Sequence, residues 1–300
     1  MNENGEYMNY QWYPGHMTKA IRMMQENIKL IDIIIELTDA RIPASGRNPD
    51  IDELGKNKYR LVILNKSDLA DPSVTKKWQE AFSDDKTLVM EMNSKTGNEA
   101  AKVKDLVQKA CAEKIERDKK RGIVGRPIRA MVAGIPNVGK STFINKLAGR
   151  ASAKTGNKPG VTKGKQWISL GKNMQLLDTP GILWPKFEDE TVGLNLALIG
   201  SMNDENLDVC ELACELIKIL EVNYKNAIPD KYGITDEQVE ELENVQYATH
   251  YSAILSAIAA NRKCFKQGAE PDINRAAALL LDDFRNGKLG RISLERPQQN

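Results

Sequence analysis

The sequence predicts an α/β fold, a mostly parallel sheet with helices on both faces, followed by a smaller all-α carboxyl-terminal domain. Three observations lead there. Apolar, strand-like runs at 60–64, 87–92, 128–133 and 174–177 each deliver a short polar or glycine-bearing motif at the carboxyl end, the edge at which open α/β sheets bind ligands. Beyond residue 190, the runs 207–220 and 248–260 have helical spacing and none of the alternation of a strand. A chain of 300 residues is long enough for one α/β domain of ordinary size and a smaller second domain, each with its own core.

Residues 1–30 read as an arm and an amphipathic helix, with Thr18 as its cap and Ile21, Met24, Ile28 and Ile31 as its apolar stripe. The α/β domain is expected over 31–187, opening with a strand at 32–37, and the helical domain over 188–300. The run 60–64 ends in Asn65-Lys66-Ser67-Asp68. In a loop of this type Asp68 accepts from guanine N1–H and the 2-amino group, Asn65 braces the pocket, and the Lys66 stem covers one face of the ring. Adenine would leave Asp68 unpaired, and a site built on such bonds rejects the wrong base by roughly 10⁴-fold. Taken alone, the four-letter pattern also fits a solvated loop.

The next strand, 87–92, leads into Asn93-Ser94-Lys95. That position commonly carries Ser-Ala-Lys in guanine-nucleotide proteins and supplies a main-chain contact to the guanine oxygen, so Asn93 in place of Ser weakens the motif without excluding it. A lysine-rich helix is expected over about 100–120 and a linker over 121–127. The strand 128–133 then runs into Gly134-Ile135-Pro136-Asn137-Val138-Gly139-Lys140-Ser141, followed by a helix from Ser141 and Thr142 to 147. This is G-x-x-x-x-G-K-[ST] in the strand-loop-helix setting it requires. Backbone N–H groups from Asn137 through Thr142 would wrap the phosphates, Lys140 would reach the β and γ oxygens, and the Ser141 hydroxyl would ligate Mg²⁺.

Downstream, the loop Lys158-Pro159-Gly160-Val161-Thr162 offers Thr162 as a second hydroxyl for the metal. The strand 174–177 ends in Asp178-Thr179-Pro180-Gly181, from which Asp178 can reach Mg²⁺ and Gly181 can present its N–H to the γ-phosphate. Together these parts make a P-loop site for GTP and GDP. In an ordinary GTPase the guanine-reading motif comes last; here it precedes the phosphate loop, so the domain reads as circularly permuted. Such rearrangement is tolerated because domain termini often lie close together.

The chain resembles the circularly permuted GTPases of the bacterial ribosome biogenesis GTPase A group, the YlqF type. The resemblance rests on Trp12-Tyr13-Pro14-Gly15-His16-Met17, on Asp39-Ala40-Arg41-Ile42-Pro43 with Asn48-Pro49 behind it, on the permuted motifs, and on the closing Phe284-Arg285-Asn286-Gly287-Lys288-Leu289-Gly290-Arg291. It implies an assembly switch on the large (50S) ribosomal subunit, with ribosomal RNA and ribosomal proteins as partners and RNA binding by the helical domain. For that domain, a plain packing role is the alternative.

Ile182 follows Gly181, where Ras-like GTPases place the glutamine that orients the attacking water. Slow intrinsic hydrolysis is therefore expected. The resemblance implies His16 as the catalytic element, brought into the site by the ribosomal partner; a purely structural histidine beside the first helix is the alternative. Asn137 resembles the loop asparagine of potassium-activated GTPases, where it helps hold K⁺, although an ordinary loop asparagine is equally compatible.

Composition narrows the setting. No apolar run approaches the roughly 20 residues that cross a bilayer, and the amino terminus is polar, so a soluble, cytoplasmic protein without a membrane partner is expected. Cys111, Cys210, Cys214 and Cys264 lack paired metal spacing, which argues against zinc and disulfides, and Cys210 with Cys214 is expected to line one buried helix face. The net charge of +2 hides a segregation: residues 119–177 hold thirteen Lys and Arg and no acid, whereas 182–243 hold fifteen acids and four bases. Lys154, Lys158, Lys163 and Lys165 flank Thr162, so a phosphate-rich surface could be gripped differently in the two nucleotide states; a solvated face is the bland reading. A monomer with no DNA partner is expected. Two rival functions stay open, a signalling GTPase with a protein partner and a largely noncatalytic RNA-binding scaffold that holds GTP as a ligand.

Overall fold

A computed structural model describes residues 15–96, 98–149, 166–184, 187, 189–202, 207–246, 249–268 and 270–298, with backbone alone at 15–17 and 245–246. The chain divides into two compact units. The first runs to Gly193 and is rejoined by the tail from Glu295; the second is Leu194–Leu294. The division expected at 187/188 thus falls later, and the last residues leave the helical unit.

The first unit is α/β. Its elements are α1 (Gly15–Asn27), β1 (Ile33–Asp39), α2 (Pro49–Leu54), β2 (Tyr59–Asn65), α3 (Pro72–Phe82), β3 (Thr87–Met92), α4 (Ala100–Ala110), α5 (Ala112–Lys120), β4 (Ile128–Gly134), α6 (Lys140–Ala148), β5 (Gln166–Leu170) and β6 (Met174–Asp178). The strands form one six-stranded sheet in the order β3-β2-β1-β4-β6-β5, parallel throughout except for β5 against β6. Every residue of β1 is buried, as a strand with parallel neighbours on both edges and covered faces must be. Trp78 of α3 lies over Val62 and Leu64, while Leu61 and Ile63, which point to the other face, are equally buried.

Local chemistry sets the helix starts. Asn48 and Asp71 each accept backbone N–H groups at the head of a helix and each is followed by proline at the first helical position, where a missing N–H costs nothing. Thr18 does not cap α1: the helix already begins at Gly15, directly after Pro14, and Thr18 sits inside its first turn. Met24 and Ile31 are buried and Ile21 and Ile28 half-buried. The helix expected over 100–120 is two helices broken at Cys111, whose backbone (φ −94°, ψ 11°) is not helical.

Beneath the sheet lies a buried ion network. Glu36 is 1% exposed, and its Oε2 accepts from Arg60 Nη1 at 2.9 Å and Arg47 Nε at 3.4 Å; both arginines also pair with Asp52. Burial pushes the Glu36 carboxyl up, against the pull of the two arginines. The tail is fastened to the loop after β1, where the Glu295 carboxylate accepts from Ala44 N at 2.7 Å, Ser45 N at 3.0 Å and the Ser45 hydroxyl, while its carbonyl accepts from Trp78 Nε1.

The second unit is helical, with α8 (Val209–Asn223), α9 (Ala227–Tyr232), α10 (Asp236–Gln246), α11 (His250–Asn261) and α12 (Ile273–Arg285); the helix α7 (Glu190–Leu198) leads into it. α11 is apolar around its circumference, buried without interruption from Ala253 to Ala259, and packs with α8, α10 and α12. Cys210 and Cys214 are only half-buried on α8 rather than on a fully buried face, because Leu212, Ala213, Leu216 and Ile217 take the inward positions. No described helix is long and apolar enough to cross a membrane.

Arg60→Met would leave the buried Glu36 carboxyl with only Arg47 against it, so that folding must either bury a poorly paired charge or take up a proton. The expected cost is on the order of 3–5 kcal/mol in urea unfolding of the α/β unit, and adding Glu36→Leu should recover much of it.

Candidate functional site

The sheet order brings the carboxyl ends of β2, β1, β4 and β6 together, at the switch point where the chain path reverses direction across the sheet. The loops that leave these ends are Asn65–Asp68, Gly134–Gly139 and the segment after Asp178.

The phosphate loop joins β4 to α6. Its bends require glycine: Gly134 stands at φ 147°, where a Cβ would lie 2.3 Å from the Leu37 carbonyl, and Gly139 at φ 101°, where a Cβ would lie 2.6 Å from Asn65 Nδ2. Asn137 adopts φ 57°, a left-handed conformation that asparagine tolerates better than most residues. Ser141 and Thr142 lie in the first turn of α6, at the end of a helix whose N–H groups attract anions. The Lys140 ammonium is buried and donates to the carbonyls of Gly134 (3.0 Å) and Ile135 (2.7 Å). Burial lowers its pKa to about 8, partly offset by the neighbouring Asp178 carboxylate.

Asp178 is 1% exposed at the end of β6. Thr179 fixes the next turn by donating to the Val132 carbonyl at 2.6 Å. A Cβ on Gly181 would lie 2.8 Å from both Lys140 Nζ and Pro136 Cα, so the segment after Asp178 lies directly against the phosphate loop. Magnesium prefers hard oxygen donors, and the Ser141 hydroxyl and Asp178 carboxylate supply that chemistry beside the loop; when bound, the ion neutralises phosphate charge.

The side-chain amide of Asn65 ties the guanine-type loop to both of its neighbouring loops. Asn65 Nδ2 donates to the Val138 carbonyl at 2.7 Å, and Asn65 Oδ1 accepts from Ser94 N at 3.1 Å and Ser94 Oγ at 2.8 Å. Lys66 follows at φ 57°, a strained conformation for lysine that costs about 1–2 kcal/mol. Asp68 is exposed at the loop's outer edge. Asn93, the departure from Ser, caps its own turn by accepting from Lys95 N at 3.0 Å and Thr96 N at 3.3 Å.

The structure therefore gathers Asn65, Lys66, Asp68, Asn93, Ser94, Lys95, Asn137, Val138, Gly139, Lys140, Ser141, Thr142, Asp178 and Gly181 around one edge of the sheet. Thr162, with Lys154, Lys158, Lys163 and Lys165, lies outside the described residues. So does the His16 side chain, although its backbone is in the first turn of α1. Sequence reasoning missed the side-chain use of Ser94 and the pair Asp39–Arg41, which was noted only as part of a family pattern. Its signal was an acid and a base two residues apart at the end of a strand that opens with three isoleucines.

A phosphate loop between β4 and α6, preceded in the chain by an Asn-Lys-x-Asp loop that packs against it, defines a circularly permuted P-loop GTPase. The family described as a 50S ribosome-binding GTPase matches residues 129–255, starting inside β4 and leaving β1–β3 ahead of it. Ribosome biogenesis GTPase A of Bacillus pumilus is 43% identical over 97% of this chain and 100% of its own length; that of Thermotoga maritima is 32% identical over 96% and 94%. The GNP-bound crystal structure of YlqF from T. maritima aligns with a TM-score of 0.62 at 29% identity, covering 94% of this chain and 100% of that one, and the GDP-bound form with 0.61. The chain belongs to the ribosome biogenesis GTPase A family.

Because Lys140 loses its charge as pH rises through about 8, GDP binding should weaken with pH. About a threefold rise in Kd between pH 7.5 and 8.5 is expected by titration calorimetry, and a flat profile would show that Lys140 stays charged without phosphate.

Proposed function

We propose that this chain hydrolyses GTP as an assembly factor of the large ribosomal subunit, binding the subunit late in its maturation and being released or switched by hydrolysis. The observation that carries the reading is the permuted order, which makes Asp178–Gly181 the last part of the nucleotide site. The chain then runs from Gly181 to α7 at Glu190 with no other strand or helix among the described residues. A change of backbone at Gly181 on loss of the γ-phosphate is thus passed directly to the chain entering the helical unit. The names of the relatives, and the 50S ribosome-binding description of the matching family, support the choice of ribosomal subunit as partner. The phosphate-dense surface of such a partner suits the acid-free stretch at 119–177.

In this reading Asn65, Lys66 and Asp68 select guanine, with Asn93, Ser94 and Lys95 closing the pocket. The N–H groups from Asn137 to Thr142 and the Lys140 ammonium cradle the phosphates, and Gly181 senses the γ-phosphate. Ser141, Thr162 and Asp178 hold Mg²⁺. Ile182 has no polar group to orient water, so intrinsic turnover is slow; His16 positions the water once the subunit is bound, and K⁺ held near Asn137 adds positive charge at the phosphates. The protein works as a cytoplasmic monomer.

GTP turnover with and without purified large subunits in potassium buffer tests the proposal. Strong stimulation is expected; GTP binding without stimulation by the subunit would move the reading to a protein-partner GTPase or a scaffold. His16→Ala should lose on the order of 10²-fold of the stimulated rate while retaining GTP affinity, and unchanged stimulation would remove His16 from the mechanism. Equal rates in potassium and sodium would remove the monovalent cation.

A further inference from the structure

Asp39 ends β1, and the parallel register sets it beside Asn65. Its carboxylate is fully enclosed and Arg41 is 1% exposed. Arg41 grips both oxygens, Nε to Oδ1 and Nη2 to Oδ2 at 2.9 Å each, and its backbone N–H adds a third bond to Oδ1 at 3.1 Å. That fork already answers the charge, yet a second cation is present: Lys66 Nζ lies 3.0 Å from Oδ2. One buried anion thus serves two cations, and the second belongs to the loop between Asn65 and Asp68.

Lys66 needs an anchor. It is one of three non-glycine residues at positive φ among those described, and such a conformation persists only where its surroundings over-determine it. Leu69 N to Lys66 O at 2.9 Å and Ser67 N to Met92 O at 3.2 Å hold the main chain after it, and Asp39 holds the side chain. Ala40 N to Asn65 O at 2.8 Å fixes the strand end on the other side. Burial would push the Asp39 carboxyl up, but the Arg41 and Lys66 charges outweigh it and hold the group well below the usual carboxylate range. The anchor is therefore charged at every pH at which the protein works.

The geometry points to Asp39 as a positioning residue for base recognition: kept ionised and oriented by Arg41, it anchors the Lys66 ammonium and so fixes the left-handed turn that aims Asp68 at the base and lays the Lys66 stem along it. Asp39 touches no nucleotide in this arrangement and acts through Lys66. The inference rests on the guanine-pocket assignment proposed above.

Equilibrium binding of GDP and of inosine diphosphate, which lacks the 2-amino group, tests it in the full-length protein. Asp39→Asn should weaken GDP binding by about tenfold or more and narrow the preference for GDP over inosine diphosphate, raising KM for GTP with little change in kcat. Asp39→Asn with Arg41→Gln buries no net charge in the pair and supports folding where the single variant does not, but gives Lys66 no anion. It should bind as weakly as the single variant, whereas a purely structural pair would be rescued. Wild-type affinity and preference in the double variant would overturn the proposal. Without any variant, so would a Lys66 ammonium that exchanges protons with water in the GDP complex as fast as an exposed lysine, measured by NMR. Asp68→Asn separates the two assignments: if it leaves the GDP preference intact, the pocket itself is misassigned, and if it abolishes that preference while the Asp39 variants keep it, only the role of Asp39 fails.

Discussion

The side-chain amide of Asn65 is where the nucleotide site is joined. Its nitrogen holds the Val138 carbonyl of the phosphate loop and its oxygen holds Ser94, so one buried group sets the spacing between three loops that leave three different strands. The bond is possible only because Gly139 has no side chain; a methyl group there would lie 2.6 Å from the amide nitrogen and force it away. Gly134 stands in the same relation to the Leu37 carbonyl, and Gly181 to Lys140 and Pro136. The glycines of the motifs therefore do more than bend the backbone. They let loops from β2, β4 and β6 approach to distances that any Cβ would forbid, and the polar groups of one loop become the walls of the next.

Charge inside the α/β unit follows a related logic. Glu36, Asp39, Arg41 and Arg60 are all buried, and each is held in a cluster in which at least one carboxylate meets two cations. Burying ions in this way stabilises little in itself, because desolvation offsets the attraction. What such clusters supply is direction, since a fork of guanidinium on carboxylate has one good geometry. Both clusters are centred on carboxylates of β1, a strand flanked on each side by parallel neighbours. The loop from Ala40 to Asn48 leaves that strand, and the tail residue Glu295 is fastened to it.

Much of this could be read from the residues alone. The strands at 60–64, 87–92, 128–133 and 174–177 are present with small extensions, because β-branched and aliphatic runs stopped by a motif have few other conformations open to them. β5 was missed: Gln166-Trp167-Ile168-Ser169-Leu170 is a short edge strand whose alternation is visible only beside its partner β6. The break at Cys111 has no proline or glycine to announce it, and Thr18 looked like a cap because the pattern of a cap and of a first turn differ by three residues. In the site, the motif identities fixed which residues gather at the sheet edge. The Asp39–Lys66 contact was invisible because its partners are 27 positions apart and are brought together by strand register, which no local pattern encodes. Ser94 was read for its main chain, and the structure uses its hydroxyl as well.

The permuted order also has a consequence for how the molecule is made. A chain emerges from its amino end, so β1, β2 and β3 are available to pair before any of the phosphate loop exists. Gly134 follows Met92 by 42 residues, which at roughly 5–20 residues per second is a wait of about two to eight seconds. During that interval the strand destined for the middle of the sheet has one hydrogen-bonding edge satisfied by β2 and the other exposed, the kind of edge that recruits stray strands. β4 closes it, and the same event brings the Val138 carbonyl within reach of Asn65. The phosphate loop of the nascent chain is therefore joined to Asn65 in the same step that covers the open edge of β1, and the exposed edge passes to β4 until β6 arrives.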